Sequence, residues 1–461
     1  MSKSRKRKKG LCFEDRPVEQ PCAAGIDIGA REIFVAVHHD PEERPVRRFA
    51  TFTEDLEQMA DWLERCGVTT VAMESTGVYW IPLYEILDRR GLKPCVVNAR
   101  HMKNVPGRRT DWHECQWIQF LHSVGLLRAA FRPEDQVCVV RAILRHRQQL
   151  VEMAAQHVQH LHKSLTQMNL QIHHVISDIT GTTGLAILDA ILAGERDPAT
   201  LAKLRDQRIK ATSETVIKSL HGNWREEHLF TLRQSLELYR FYVGQIATSD
   251  LKIESLLADF TPRVDPEQKP LPADGKKNRS AAKRRKKAGL SAGFDLRTEG
   301  YKLFGVDVTQ IPGLEGNILP LFSEVGRDMT RWPDAEHFVS WLALCPDNDI
   351  SGGRVLWRGM RKANNRAGQI FRLAAQSLHR SQTPMGDYLR RLKAKLGPAG
   401  ATTATARKIA TLFYILVRRQ VEYDPSLWAQ LDQQREKRLE ARLHRQAAQR
   451  GYKLVPLKTA A

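Results

Sequence analysis

Short apolar runs broken by tight polar connections fill the first quarter of the chain. Ala23-Ala24-Gly25-Ile26-Asp27-Ile28-Gly29 reads as a strand, Ile33-Phe34-Val35-Ala36-Val37 as a second, and Val46-Arg47-Arg48-Phe49-Ala50-Thr51-Phe52 as a third. Strands this close in sequence pair as neighbouring hairpins. A helix-period stretch over 56–66 leads to the strand Thr70-Val71-Ala72-Met73-Glu74, and a helix over 79–87 leads to Pro94-Cys95-Val96-Val97. Three antiparallel strands followed by helix-linked strands is the order of an RNase H-like α/β fold, and a length of roughly 100–130 residues suits one domain.

Past residue 150 the period changes. Val151, Ala154, Val158, Leu161, Leu165, Met168, Ile172 and Val175 advance in steps of three and four. Leu232, Leu236, Tyr239, Val243, Ile246, Ile253 and Leu257 do the same, with Asp250 interrupting the seam. Sustained spacing of this kind predicts an α-helical coiled coil. The two helices could pair within the chain or zip two copies together. A small helical segment, 178–220, lies between them. Over 261–300, Pro, Gly and Ala mix with Lys276-Lys277, Arg279 and Lys283-Arg284-Arg285-Lys286-Lys287. That is the composition of a disordered basic linker, either laid along a phosphate backbone or serving as a solvated spacer.

The last region is mainly α. It opens with Ile311-Pro312-Gly313-Leu314-Glu315-Gly316-Asn317. Such a glycine turn either faces a phosphate, as in a helix-hairpin-helix, or simply joins two helices. Basic helices are expected over 361–380 and 403–421, with a charged helix after Tyr423. The division is a basic arm 1–18, an α/β domain 19–150, a helical coiled coil 151–262, the basic linker 263–300, a mainly α domain 301–422 and a charged tail 423–461.

A chain of 461 residues exceeds one ordinary core. Its 42% hydrophobic content suffices to fold, but a formal charge of +20 suits a polyanionic partner. A membrane surface would meet the same charge, yet no lipidation signal, basic amphipathic anchor or apolar run of about 18 residues is present. The basic arm Ser2-Lys3-Ser4-Arg5-Lys6-Arg7-Lys8-Lys9 has no apolar stretch behind it, so it is not a secretory signal. The seven cysteines form no C-x-x-C pair, which argues against zinc and disulfides and for a reducing cytoplasm.

Asp27 sits mid-strand, where Ile26 and Ile28 point to the other face. An acid buried there is costly unless it meets a cation or donors. Glu74 ends a second strand in the same manner, and Asp111 and Glu114 share one face at the start of a helix over 111–122. On converging elements these acids make an oxygen-rich site suited to Mg²⁺ or Mn²⁺. The simpler alternative for Asp111 and Glu114 is an acidic first turn meeting the helix dipole. Gly-Ile-Asp-Ile-Gly also suits the phosphate loop of actin-like sugar kinases. Those need a second loop after another meander, and Asp178-Ile179-Thr180-Gly181-Thr182-Thr183-Gly184 lies among helices instead.

Far along the chain runs Cys345-Pro346-Asp347-Asn348-Asp349-Ile350-Ser351-Gly352-Gly353-Arg354. Two glycines after a serine let a phosphate approach closely, with Arg354, Arg358, Arg361 and Lys362 nearby. A serine needs a base or a metal to become a nucleophile, and no His is adjacent. Ser-Gly-Gly is also a common turn.

Taken together, Gly25 through Gly29, Met73-Glu74-Ser75-Thr76-Gly77, Gly107-Arg108-Arg109-Thr110-Asp111, Glu114-Cys115-Gln116-Trp117 and the region from Gly313 through Ala375 resemble the DEDD-type insertion-sequence transposases, the insertion-sequence-110 family. The resemblance implies a RuvC-like domain with Asp27, Glu74, Asp111 and Glu114 as metal-holding acids, and a serine transposase domain with Ser351 as nucleophile. The family has Asp where this chain has Glu114, a carboxylate one methylene longer, and the basic linker is longer than typical. The implied activity is excision and insertion of a mobile DNA element through a phosphoserine link. The implied partners are donor and target DNA, a bridge guide RNA, and further copies of the chain in a dimer or tetramer, in the bacterial cytoplasm. Arg108, Arg109, Arg354, Arg358, Arg361 and Lys362 would contact nucleic acid.

Two other readings remain. A RuvC-type structure-selective, Mg²⁺-dependent nuclease would use the four acids with water and have no use for Ser351. A non-catalytic nucleic-acid scaffold would explain the charge but leave Asp27 without a purpose. His157, His160, His162, His173 and His174 read as a solvated helix face contacting RNA or water rather than a ligand set.

Overall fold

Alternation of side chains across the first strand decides what lies on each face of the sheet. The computed structural model describes residues 17–75, 77–98, 111–272, 292–357, 359 and 365–453. The chain divides into two units, Met1–Arg132 and Pro133–Ala461. In the first, β1 (Ala23–Ile28), β2 (Glu32–Ala36), β3 (Val46–Ala50), β4 (Thr70–Glu74) and β5 (Pro94–Val97) form one sheet in the order β3-β2-β1-β4-β5. The pairs β1–β2 and β2–β3 are antiparallel, while β1–β4 and β4–β5 are parallel. Ile26, Ile28, Ile33, Val35, Val71, Met73 and Val96 pack on one face against α1 (Thr53–Arg65) and α2 (Trp80–Arg89). Phe34, Ala36, Ala72 and Val97 occupy the other, where Cys115 and Ile118 of α3 (Asp111–Ser123) cover them. This mixed α/β arrangement is consistent with an RNase H-like domain.

The second unit opens with two antiparallel helices of 33 residues each, α4 (Asp135–Gln167) and, after three short helices, α8 (Glu226–Ala258). Their direction follows from the cross-pairs: Arg147 meets Asp250, and Ser164 meets Thr231 at 3.1 Å. The pairing is within the chain. Leu150, Ala154, Leu161 and Leu165 face Leu232, Leu236, Tyr239 and Ile246. Asp250, which breaks the apolar spacing, is buried, and its carboxylate accepts from Arg147 Nε at 2.5 Å and Nη2 at 3.2 Å. A buried charged pair at one rung disfavours slipped alignments that would separate its members. α5 (Thr182–Leu192), α6 (Pro198–Lys203) and α7 (Ser213–Ser219) close the far end through Ile187, Leu188, Ile191, Leu201 and Val216.

The first stripe does not run on to Val175 as one helix. Asn169 adopts φ 56°, and the Leu170 N–H returns to the Leu165 carbonyl at 2.8 Å while the Asn169 N–H bonds to Thr166 at 3.0 Å. This closes the last turn, because Asn tolerates the left-handed conformation and so satisfies the orphan carbonyls. Ile172 is buried from a separate short 3₁₀ turn, Ile172–His174. Nor is the histidine face wholly solvated: His157 stacks on Tyr242 of α8, with ring centroids 5.5 Å apart and planes 18° from parallel.

The remaining core is aromatic. α9 (Leu296–Phe304), α10 (Ile318–Val325), α11 (Ala335–Trp341), α12 (Arg366–Ser377) and α13 (Pro384–Arg419) bring Phe304, Phe322, Phe338, Phe371 and Phe413 together, all fully buried. Phe304 meets Phe413 edge-on at 5.3 Å and 87°, the arrangement ring quadrupoles favour. A two-stranded hairpin, β6 (Asp349–Ser351) and β7 (Arg354–Trp357), lies between α11 and α12 in the chain. α14 (Ser426–Gln449) is the last helix of the described chain.

Several expected boundaries move. The break at 150 falls inside α4, since neither Pro nor Gly interrupts 135–167. The early part of α4 also packs on α10, where Arg141 Nε donates to the Ser323 carbonyl at 2.7 Å. The helix expected from 403 begins earlier: a turn at Gly397 (φ 73°, ψ 173°) before Pro398 splits α13 into two segments. Gly313 serves packing, because a Cβ there would meet the Ala374 carbonyl of α12 at 2.5 Å. The expected linker, 263–300, ends within α9, which begins at Leu296, and its basic runs lie at 273–291, outside the described residues. Among the described residues, no helix is long and apolar enough to cross a membrane.

Candidate active site

Gly25 seats the helix that carries two of the expected acids. A Cβ at this position would lie 2.1 Å from the Gln119 nitrogen and 2.4 Å from the Cys115 carbonyl, so the backbone of α3 rests directly on β1. Asp27, two positions along, points to the same face. Its partner on β2 is Phe34, whose ring meets Trp112 of α3 edge-on at 6.4 Å. The first turn of α3, with Asp111 and Glu114, therefore lies over the end of β1 that bears Asp27. On the other side, the β1–β4 register pairs Ile26 with Met73. Continued by one position it sets Asp27 beside Glu74, on the face away from Ile26 and Met73.

Burial differs across the four. Glu74 is buried, Asp27 and Glu114 are half-buried, and Asp111 is exposed. Their charge is felt at Cys115, whose thiol is pushed up to about 12, first by burial and then by the negative charges of Asp27 and Asp111. That thiol donates to the Trp112 carbonyl at 3.1 Å and packs in the sheet–helix interface. Asp111 and Glu114 also stand in the first turn of α3, where the helix dipole favours negative charge. The donor chemistry, carboxylate oxygen alone, fits a hard divalent cation. Among the described residues, however, no three His, Cys, Asp or Glu side chains are gathered closely enough to hold one.

Ser351 belongs to the second unit. It ends β6, pairs with Arg354 at the start of β7, and is exposed. Gly352 and Gly353 connect the strands with φ of 54° and 73°. Two successive left-handed residues make the type I′ turn whose twist matches a hairpin, and glycine adopts it without strain. The serine hydroxyl is thus presented at a tip, one residue from backbone that carries no side chain. Arg354 stands across from it and is also exposed. Arg358, Arg361 and Lys362, like Arg108 and Arg109 of the first unit, lie outside the described residues.

Comparison with known proteins shows which family the chain belongs to. Residues 24–170 match the transposase model for the DEDD domain of IS110, and residues 308–390 match the transposase model for the IS116/IS110/IS902 family. The chain belongs to the IS110 family of DEDD transposases. No curated protein matches it. Membership makes it a DNA-acting enzyme, and the two matches contain, respectively, all four acids and the serine hairpin.

Two features of this IS110-type transposase are not marked by residue spacing. One is the seating role of Gly25, which spacing alone does not reveal. The other is the apolar surface of the serine hairpin: Ile350, Leu356 and Trp357 are each more than half exposed, at 62%, 71% and 51%. The hairpin itself carries a readable signal, since Gly-Gly between Ile-Ser and Arg-Val-Leu-Trp is a two-residue turn flanked by strand formers.

Proposed function

We propose that this transposase excises and inserts its element by metal-assisted, serine-mediated strand exchange. A RuvC-like domain contributes Asp27, Glu74, Asp111 and Glu114, and a serine transposase domain contributes Ser351. The observation that carries the reading is the shared face of Asp27 and Glu74 beneath the first turn of α3. Three elements distant in sequence bring carboxylates to one end of a sheet, in a family that cuts and joins DNA.

The family resemblance implies Mg²⁺ or Mn²⁺ held by Asp27, Glu74, Asp111 and Glu114, which do not form a closed ligand set in this structure; when bound, the ion would supply Lewis-acid polarisation of a phosphodiester. Ser351 Oγ forms a bond to phosphorus while one P–O bond to deoxyribose breaks, and the serine proton ends on the departing strand hydroxyl. A hydroxyl of another strand then attacks the phosphoserine, re-forming a phosphodiester and releasing Ser351. Each step exchanges one phosphoester for another, so no nucleotide triphosphate is consumed. Arg354, with Arg358, Arg361 and Lys362, offsets the charge of the pentavalent phosphate.

The remaining parts of the reading follow the family resemblance. A bridge guide RNA selects donor and target by base pairing, while Arg108 and Arg109 contact nucleic acid backbone. The paired helices α4 and α8 act as a coiled-coil arm that joins copies into a dimer or tetramer in the bacterial cytoplasm. Replacing Ser351 with Ala tests the chemistry. The expected result is loss of both the covalent protein–DNA adduct and strand joining, with DNA binding retained. A variant that still cuts DNA and releases it by hydrolysis would replace this reading with that of a RuvC-type nuclease.

A further inference from the structure

The hairpin that presents Ser351 also exposes an indole. Ser351 pairs with Arg354, Ile350 with Val355, and position 349 with Trp357. Leu356 is the additional residue of the irregularity between the last two rungs. Positions two apart on β6 share a face, so the rung of Trp357 lies on the side of Ser351 and Arg354, and Ile350 and Val355 lie on the other. Trp357 is two rungs, about 7 Å, from the serine along the strand.

The indole is seated. Gly359 has no side chain, and a Cβ built there would fall 1.9 Å from Cη2 of the Trp357 ring. The Asp347 N–H holds Gly359 in place by donating to its carbonyl at 2.8 Å. Contact with Gly359 supports the ring on one side while it remains 51% exposed. A large aromatic surface left open beside a cationic side chain is unfavourable in water but suits a nucleobase, whose π-face stacks on indole whatever its identity. The neighbouring charge favours the same occupant: Arg354 is exposed on that face and the chain carries +20 overall.

We infer that Trp357 is a stacking platform for a DNA base within about two nucleotides of the phosphate that Ser351 attacks, given a rise of about 3.4 Å per nucleotide. This rests on the reading of Ser351 as nucleophile. Stacking fixes the position of the strand along the hairpin, so the phosphate arrives in line with the serine oxygen. Trp357 is a positioning residue, and it tolerates any base because recognition uses a ring face and not an edge pattern. The sequence is read elsewhere.

The test uses full-length protein and element-end DNA carrying single 5-iodouracil substitutions near the scissile phosphate, which is first mapped with the unaltered protein. In a Ser351→Ala background, ultraviolet irradiation should cross-link one of these positions to the peptide containing Trp357. With Ser351 intact, Trp357→Ala should slow adduct formation by about 5- to 100-fold, while Trp357→Phe keeps most of the rate. Gly359→Ala, which displaces the ring without removing it, should behave like Trp357→Ala. Replacing the cross-linked base by an abasic site should erase the difference in rate between Trp357→Ala and the unaltered protein. If Ser351→Ala abolishes the adduct but Trp357→Ala reacts at the normal rate and no position cross-links, the platform is refuted and the serine reading survives. A Trp357→Ala protein altered only in its sedimentation would refute it too, by making this face a contact between copies. If Ser351→Ala still forms the adduct, the serine reading fails, and with it the inference about the attacked phosphate.

Discussion

The closest backbone approach at the site is also its most testable feature. Gly25→Ala adds one methyl group where the Gln119 nitrogen would be 2.1 Å away, against an ordinary contact of at least 3.4 Å. The atoms met are backbone of α3, namely the Gln119 nitrogen, the Cys115 carbonyl and the Gln119 Cα, so no side chain can swing aside. The helix must retreat by roughly 1 Å, because interiors packed at crystal-like density have no slack to absorb the methyl locally. Overpacking of this kind costs about 1–3 kcal/mol. Asp111 and Glu114 move with the helix while Asp27 and Glu74 stay on the sheet. On the proposed chemistry, a displacement of about 1 Å between these acids lowers the rate by about 100-fold. The assay is adduct formation on element-end DNA, with thermal unfolding of the same protein measured alongside. Gly244→Ala is the control: it lies in α8 with nothing within 4 Å of the added Cβ, and should be neutral or slightly stabilising. A Gly25→Ala protein with normal melting temperature and normal adduct formation would refute the argument that this glycine sets the distance between helix and sheet.

Other expectations follow from individual contacts. Glu74→Gln should lower adduct formation by about 100-fold or more while DNA binding is retained, because it exchanges a buried carboxylate for an amide of equal size. His122 is buried with its ring nitrogen 2.9 Å from Thr70 Oγ1, and burial lowers its pKa. The unfolded chain then takes up the proton first, so stability is full above about pH 6.5 and falls as pH drops through the lower folded value. Urea midpoints at about pH 7.5 and pH 5 should differ less in His122→Gln than in the unaltered protein. Asp307 is 1% exposed and accepts from Arg297 Nε at 2.8 Å, the Thr309 N–H at 3.1 Å and Gln310 Nε2 at 3.1 Å. Asp307→Ala removes the acceptor for all of them and should cost about 3 kcal/mol in urea unfolding.

Legibility in the sequence tracked the range of the interaction responsible. All five strands of the first sheet are visible because a short apolar run is a property of adjacent residues: Ile26 and Ile28 flank Asp27 whatever the rest of the chain does. The two seams of α4 and α8 are visible for the same reason, through steps of three and four. Boundaries set by single backbone conformations were harder. Asn169 ends α4 and Gly397 bends α13 through left-handed φ angles, and neither residue type requires that conformation.

Other features depend on contacts between distant segments. That Asp27 and Glu74 share a face follows from the parallel register of β1 and β4, which local pattern does not specify. That α3 lies close over them depends on Gly25 meeting Cys115 and Gln119, far along the chain. Spacing leaves open whether the long helices pair with each other or with a second copy, and the meeting of Arg147 with Asp250 decides it. The serine turn was recognisable as Ser-Gly-Gly, but the exposed Trp357 seated on Gly359 was not, since hydropathy marks tryptophan as a core residue. Periodicity and turn chemistry are local and survive in a string of letters. Register, close approach and exposure are relations between segments, and only the folded chain decides them.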